Sequence, residues 1–291
     1  LLFGCCMGSF LNVVIWRLPH GISFIHPGSM CPGCGRELSA SENIPVLSWF
    51  LLLGRCKGCG ARIHWRYPGV ELLTGLLWML LGIAMVYGWT MILSMDGEPV
   101  QRTATAVLCV WFISYMVAIS FIDWDLTIIP DELNFTGLAI SLGASYFLPN
   151  LHPAAMAWFP TLQETGLKSL FASGIGALSG AGLILALTLV GTIAYRRRIK
   201  ELQKEDPEIN TAIGFGDVKL MAFIGAFLGW KGMLVAFFIG TFLGAIVGIV
   251  ARIRSGVSLI PYGPFLCSGA LIVLFFREPL YAWLQTRFWF F

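Results

Sequence analysis

The chain has 291 residues, of which 57% are hydrophobic and only 12% charged, where a soluble domain carries about a quarter charged residues. That composition excludes an ordinary soluble globule and predicts an all-α, polytopic membrane protein, because a bilayer core about 30 Å thick takes about 20 apolar residues per helical crossing. Nineteen Lys and Arg against sixteen Asp and Glu give a formal charge of +3, too small for a nucleic-acid partner, so where the cations lie matters more than their sum.

In chain order, apolar runs predict eight crossings near 1–16, 70–93, 104–122, 132–148, 168–195, 214–229, 232–250 and 259–276. The first opens as Leu1, Leu2 and Phe3 without a Met, so the numbering is expected to start inside a helix whose upstream turns are missing; a cleaved signal peptide fits poorly, since no basic region precedes it. Loops 17–69, 123–131, 196–213 and 251–258 hold thirteen Lys and Arg, and the opposite loops hold five: Arg102, Lys168, Lys231, Arg277 and Arg287. The positive-inside rule therefore assigns the first set to the cytoplasm and both chain ends to the outside. The bounds of the pair 214–229 and 232–250 are the least defined, because so little separates the two spans.

Small residues recur at four-residue spacing as Gly4/Gly8, Gly176/Gly180, Gly225/Gly229 and Gly240/Gly244/Gly248. In lipid this spacing lets helix backbones approach closely, so these glycines read as packing seams. Tyr87, Trp89, Trp230 and Tyr262, near span ends, read as interfacial anchors.

Four of the eight cysteines fall in the polar loop 17–69, as Cys31/Cys34 and Cys56/Cys59, each pair followed by Gly, with twenty-one residues between the pairs. A tetrahedral thiolate site needs four converging sulfurs, and Cys-x-x-Cys-Gly is a tight turn that aims two at one point; zinc is the default ion, and the gap slightly exceeds the usual ribbon range. Two disulfides or free thiols are the alternative, against which a reducing cytoplasm argues. With no open coordination position, such a metal folds the loop and does no chemistry of its own. Cys5, Cys6, Cys109 and Cys267 lie in or beside apolar runs and read as small buried hydrophobes.

Among the acids, Asp123, Asp125, Asp131 and Glu132 cluster at one cytoplasmic junction, Asp217 begins a later span and Glu71 enters another. Carboxylates at membrane depth are costly and mark function. Asp123 ends a run coming inward and Asp217 begins one going outward, so both reach the same depth on the same side. Gly214 and Gly216 remove side chains that would block an extended substrate backbone. Such a pair suits hydrolysis of a peptide bond, one carboxylate taking a proton from water while its protonated partner donates to the leaving amide. A proton or ion pathway, or an ordinary capped helix start for Asp217 with Lys219, remains the competing reading. Asp131 after Pro130 can cap the next helix or take part in catalysis. The histidines His20, His26, His64 and His152 form no His-Glu-x-x-His motif, and neither a Gly-x-Ser-x-Gly elbow nor a phosphate loop occurs.

The stretches Gly8–Pro19 and Arg66–Thr74, the two cysteine knuckles, Phe121–Asp125 with Ile129–Asp131, Gly214–Lys219 and Pro261–Pro264 together resemble the bacterial prepilin peptidases, over nearly the whole chain. The resemblance implies a bifunctional, multi-pass enzyme of the bacterial inner membrane, in contact with lipid, with its active site and cysteine loop toward the cytoplasm. Its substrates would be type IV prepilins and type II secretion pseudopilins. It would cleave their basic leader after a Gly, then methylate the new amino terminus, usually Phe, with S-adenosylmethionine. Carried over by position, Asp123 and Asp217 are the catalytic pair of a Gly-x-Gly-Asp aspartyl protease, with Gly214 and Gly216 in support; the preference for Asp123 over Asp125 rests mainly on the family pattern.

Residues 1–103, with loop 17–69, would serve methylation and residues 104–291 a six-helix peptidase domain. No dinucleotide-type glycine motif is present, so the methyl donor's pocket is expected between loop 17–69 and adjoining helix ends, with Asn12 and Glu71 as candidate contacts; for both, a structural hydrogen bond between helices is an equal reading. Two rival functions stand beside this one: a peptidase without methyltransferase activity, and a proton-coupled transporter using Asp123 and Asp217 as a relay.

Overall fold

The computed structural model describes residues 1–86, 99–152, 164–194, 196, 214–255 and 260–287. Arg197, Arg198, Lys200 and Lys204 of the cytoplasmic cation set, the anchors Tyr87 and Trp89, and residues 87–93 of the second predicted span lie outside the described residues. Eight helices of five or more residues are described: α1 (Leu2–Arg17), α2 (Leu47–Leu51), α3 (Arg66–Val86), α4 (Pro99–Leu126), α5 (Asp131–Phe147), α6 (Thr165–Ala194), α7 (Phe215–Ser255) and α8 (Gly263–Gln285). Among the described residues six helices are long and apolar enough to cross a membrane, the exceptions being α2 and α5, which has 17 residues.

Local chemistry sets the helix ends. α1 runs into a short 3-10 turn containing Pro19, closed by Gly21 in the left-handed region (φ 65°), the conformation that lets a chain leave a helix with its last carbonyls satisfied. α4 continues to Leu126, four residues beyond the predicted limit, which puts Asp123 and Asp125 in its last turns. Pro130 then precedes the first turn of α5, whose Asp131 and Glu132 complement the helix dipole.

Two of the predicted limits fall where helical geometry is interrupted. The spans 214–229 and 232–250 are not joined by a loop: they are the two arms of α7, which bends at Gly229 with φ 74° and ψ 169°. That backbone conformation is open to glycine, so the direction changes at one residue. The last predicted span ends at Phe276, where α8 departs from helical geometry just upstream of Pro279, and a second helical segment continues from there to Gln285. Arg277, read as a loop cation, is therefore a buried helical residue, 9% exposed, donating to Leu151 O and stacked 5.4 Å from the Tyr281 ring centroid.

The interior is built on α4 and the first arm of α7. Phe112 stacks on Phe227 with centroids 3.9 Å apart, and Phe223 packs edge-on against Phe112. α6, α5 and α8 pack on α7, while α1 packs on α3 and both reach α4. The glycine seams lie where predicted. A Cβ on Gly176 would collide with the Gly225 backbone, one on Gly180 with Met221 O, one on Gly8 with Glu71 Cα at 2.5 Å, and one on Gly240 with Phe265 O at 2.7 Å. Gly248 meets nothing within 4 Å, so the last of these seams ends before it. Large apolar side chains such as Leu178 (76% exposed) and Phe238 point outward, the arrangement expected where the surroundings are acyl chains.

Candidate functional site

The predicted acids fall into two kinds. Asp123 is 5% and Asp217 9% exposed, and the two lie close enough to act on one another electrostatically. Among the described residues no ion pair engages either one. Asp123 Oδ2 instead accepts the Gly263 N–H at 2.9 Å. That amide opens α8, so a carboxylate here meets both an unpaired helix N–H and the positive end of the helix dipole. Asp217 occupies the first turn of α7 and lies near Tyr262, whose hydroxyl bonds Thr241 Oγ1 at 2.7 Å. Tyr262, read as an interfacial anchor, thus belongs to the loop that links both acids.

Ile129 ties the assembly together. A Cβ on Gly216 would sit 3.1 Å from Ile129 Cβ, and one on Gly263 would sit 3.3 Å from its Cδ1 and 2.6 Å from Asp123 Oδ2. A side chain at position 216 would therefore oblige Ile129 to shift by a few tenths of an ångström. At Gly214 an added Cβ would meet Asp217 Oδ2 at 3.7 Å and the Gly216 nitrogen at 4.0 Å, both ordinary contacts, and the residue is exposed.

Asp125 and Asp131 are paired with cations. Asp125 forms a 2.5 Å ion pair with Arg66, whose guanidinium also lies 5.2 Å from the Phe121 ring centroid, fastening α3 to the end of α4. Asp131 pairs with Lys219 and so clips α5 to the start of α7. Lys219 is therefore a partner of Asp131 and no part of a local cap for Asp217. Gly263, Ile129 and Arg66 carried no assigned role in the sequence. The one signal was the Pro261–Pro264 turn, which places free helix N–H groups next to an apolar run.

In the cysteine loop, the Sγ atoms of Cys31, Cys34, Cys56 and Cys59 all lie within 4.8 Å of one another. Cys31 and Cys59 Sγ are 3.8 Å apart, the separation of about 3.8 Å that a tetrahedron with Zn–S bonds of about 2.3 Å requires. The two knuckles repeat each other. Cys31 N–H donates to Arg36 O and Cys56 N–H to Ala61 O, both at 2.9 Å, while the amides of Gly33 and Gly58 each point at the first sulfur of their knuckle from 3.4 Å. Gly35 and Gly60 close the turns at φ 68° and 71°. All four thiols are free of disulfides. Arg36 braces the site, pairing with Glu42 at 2.8 Å and reaching toward Cys56 Sγ. That guanidinium, with the Ser39 donors, holds the Glu42 carboxyl at about 2, well below the usual carboxylate range. His20 and His64 are engaged elsewhere, with Trp16 O and the Arg66 amide.

A cavity of about 430 Å³ opens between this loop, α1 and α3, within the size range of small-molecule sites. Asn12 and Glu71 both line it. Each also makes a structural bond, Asn12 Nδ2 to Tyr67 O at 3.1 Å and Val46 N–H to Glu71 Oε2 at 2.6 Å. Cys5, Cys109 and Cys267 are buried as expected, and Cys6 is exposed.

Residues 2–85 match the Bacterial Peptidase A24 N-terminal domain and residues 108–249 the Type IV leader peptidase family. The chain is 32% identical to a prepilin leader peptidase/N-methyltransferase of Aeromonas hydrophila, over 99% of this chain and 93% of the relative. It is 34% identical to one of Myxococcus xanthus (strain DK1622), over 87% of this chain and 62% of that relative, and 31% identical to one of Aeromonas salmonicida (strain A449), over 97% and 91%. No solved structure matches the chain. With paired buried acids, a four-cysteine loop and these matches end to end, the chain belongs to the type IV leader peptidase family.

Proposed function

We propose that the chain is a bifunctional inner-membrane enzyme that cleaves the leader of type IV prepilins and type II secretion pseudopilins, then methylates the new amino terminus. The observation that carries the peptidase reading is the meeting of Asp123 and Asp217, two buried carboxylates from different helices at one membrane end, with no cation paired to either among the described residues. One carboxylate removes a proton from water as its oxygen adds to the scissile carbonyl, and the protonated partner gives its proton to the amide nitrogen as the C–N bond breaks. The Gly263 amide fixes one oxygen of Asp123, leaving the other to face water and substrate. The cation distribution supports a cytoplasmic position for this end and for the cysteine loop, so a basic leader stays in the cytosol while the pilin helix rests in lipid.

Residues 104–291 carry this chemistry in our reading, and residues 1–103 serve methylation. Cys31, Cys34, Cys56 and Cys59 would hold zinc, which supplies folding energy to a loop too small for a core of its own. The 430 Å³ cavity would take S-adenosylmethionine, with Asn12 and Glu71 on its wall; bound there, that group supplies an activated methyl.

The test is cleavage of a synthetic prepilin by purified protein. Asp123→Asn and Asp217→Asn should each abolish cleavage while the protein still inserts into the membrane. Full peptidase activity in either variant refutes the assignment.

A further inference from the structure

A second cavity, of about 360 Å³, lies against α1 beside the first. The two share Ser9, Val13, Arg17, Ser29 and Asn43 as lining. Helical spacing explains how. Ser9, Val13 and Arg17 follow one another at four-residue intervals and form a ridge on α1. Asn12 and Trp16 flank it inside the first cavity, Cys6 and Phe10 inside the second. The far wall of the second cavity is the loop carrying Phe24, Ile25 and Pro27, held onto α1 by Arg17, whose Nη1 and Nη2 donate to Ser23 O and Gly28 O at 3.0 Å each.

We infer that this second cavity is the methyl-acceptor site, receiving the apolar or aromatic first residue of the cleaved pilin helix with its α-amine turned toward the shared ridge. The inference rests on the methyltransferase reading above. Three observations carry it. The wall beyond the ridge is apolar, with Phe10, Phe24, Ile25, Pro27 and Pro45, which suits a hydrocarbon side chain and not a second charged cofactor. Phe10, which lines the cavity, is 48% exposed on the outward face of α1, so an apolar helix lying in the bilayer reaches it without leaving lipid. Finally, the buried guanidinium of Arg17, 9% exposed, sits on the wall common to both cavities. A fixed cation there disfavours a protonated amine beside it, and only the neutral amine can act as nucleophile. The nitrogen lone pair forms the N–C bond while the C–S bond breaks, its electron pair leaving with sulfur as a neutral thioether. The resulting secondary ammonium passes its proton to water. Ser9, the smallest side chain of the ridge, marks the low point across which the two reactants meet.

The native Cys6 thiol, exposed and on the wall of the second cavity only, gives a readout that needs no turnover. Labelling of Cys6 by N-ethylmaleimide in the intact protein, mapped by mass spectrometry, should slow at least fivefold with a pilin-helix peptide beginning at Phe. With S-adenosylmethionine alone it should slow less than twofold. Filling the cavity by Cys6→Trp should raise KM for that peptide at least tenfold and leave the S-adenosylmethionine Kd within twofold. Ile25→Trp, in the loop, serves as a second filler if Cys6→Trp loses its bound metal. Equal protection of Cys6 by S-adenosylmethionine alone, or an unchanged peptide KM in the filled variants, overturns the acceptor site. A wild-type protein that neither binds S-adenosylmethionine nor methylates the peptide fails the underlying reading instead, and the two failures are thereby told apart.

Discussion

Gly263→Ala is the sharpest test of how Asp123 is held. The added Cβ would lie 2.6 Å from Asp123 Oδ2 and 3.1 Å from its Cγ, against an ordinary contact distance that begins at 3.4 Å. The carboxylate or the loop must therefore retreat by about 0.8 Å, which also draws the 2.9 Å hydrogen bond from Gly263 out of range. A hydrogen bond to a charged group is worth about 1.5–3 kcal/mol, and a misplacement of about 1 Å costs a reaction about 10²-fold. These agree, so kcat for prepilin cleavage should fall on the order of 10²-fold with KM little changed. The assay is gel-resolved cleavage of a synthetic prepilin in detergent. Methylation of an already cleaved peptide reports that the variant is folded, because the site proposed for it is built from α1, α3 and the cysteine loop. Gly248→Ala, at a glycine that meets nothing within 4 Å, should leave kcat unaltered. If Gly263→Ala keeps more than a third of wild-type kcat, the Gly263 contact does not position the acid.

Elemental analysis of the purified protein should find one zinc per chain, and Cys31→Ser should remove it and lower both activities, methylation the more steeply; a metal-free wild type of full activity would contradict this. Gly176→Leu should lower the thermal midpoint by several degrees, since it drives a side chain into the Gly225 backbone, whereas Gly174→Leu, with open space around it, should not. His152 is buried at the bend of α7, its Nε2 bonded to Ala226 O, and burial together with the charge of Arg277 lowers its pKa to about 4. The folded state thus binds its proton more weakly than the unfolded chain does, so stability present near neutrality is lost as pH falls from about 6.5 toward 4, by about 3 kcal/mol in all. Thermal midpoints of wild type and His152→Gln measured from pH 7 to 4.5 should converge on acidification, and parallel curves would show that His152 does not titrate in this way.

The parts of the structure legible in the sequence are those fixed by local pattern. Apolar run length gave the positions of the helices, four-residue glycine spacing gave the contacts of Gly176, Gly180 and Gly8, and the Cys-x-x-Cys turns gave the converging sulfurs. The depth argument brought Asp123 and Asp217 together across nearly a hundred residues, because two ends of adjacent spans must share a surface. What stayed hidden depends on tertiary partners. Nothing near Asp125 or Asp131 in the chain says that Arg66 and Lys219 will claim them. The contact of Gly263 with Asp123 spans 140 residues, and whether 229–232 is a loop or a bend turns on the backbone angles of Gly229 alone.

Ile129, 8% exposed, fills the gap between Gly216 and Gly263, so hydrocarbon bulk is what gauges the distance between the acids. A proton changes hands with each bond hydrolysed, and a spacer built from polar groups would rearrange each time. An aliphatic branch has no charge state to alter, and it returns the machinery to the same gap after every cycle.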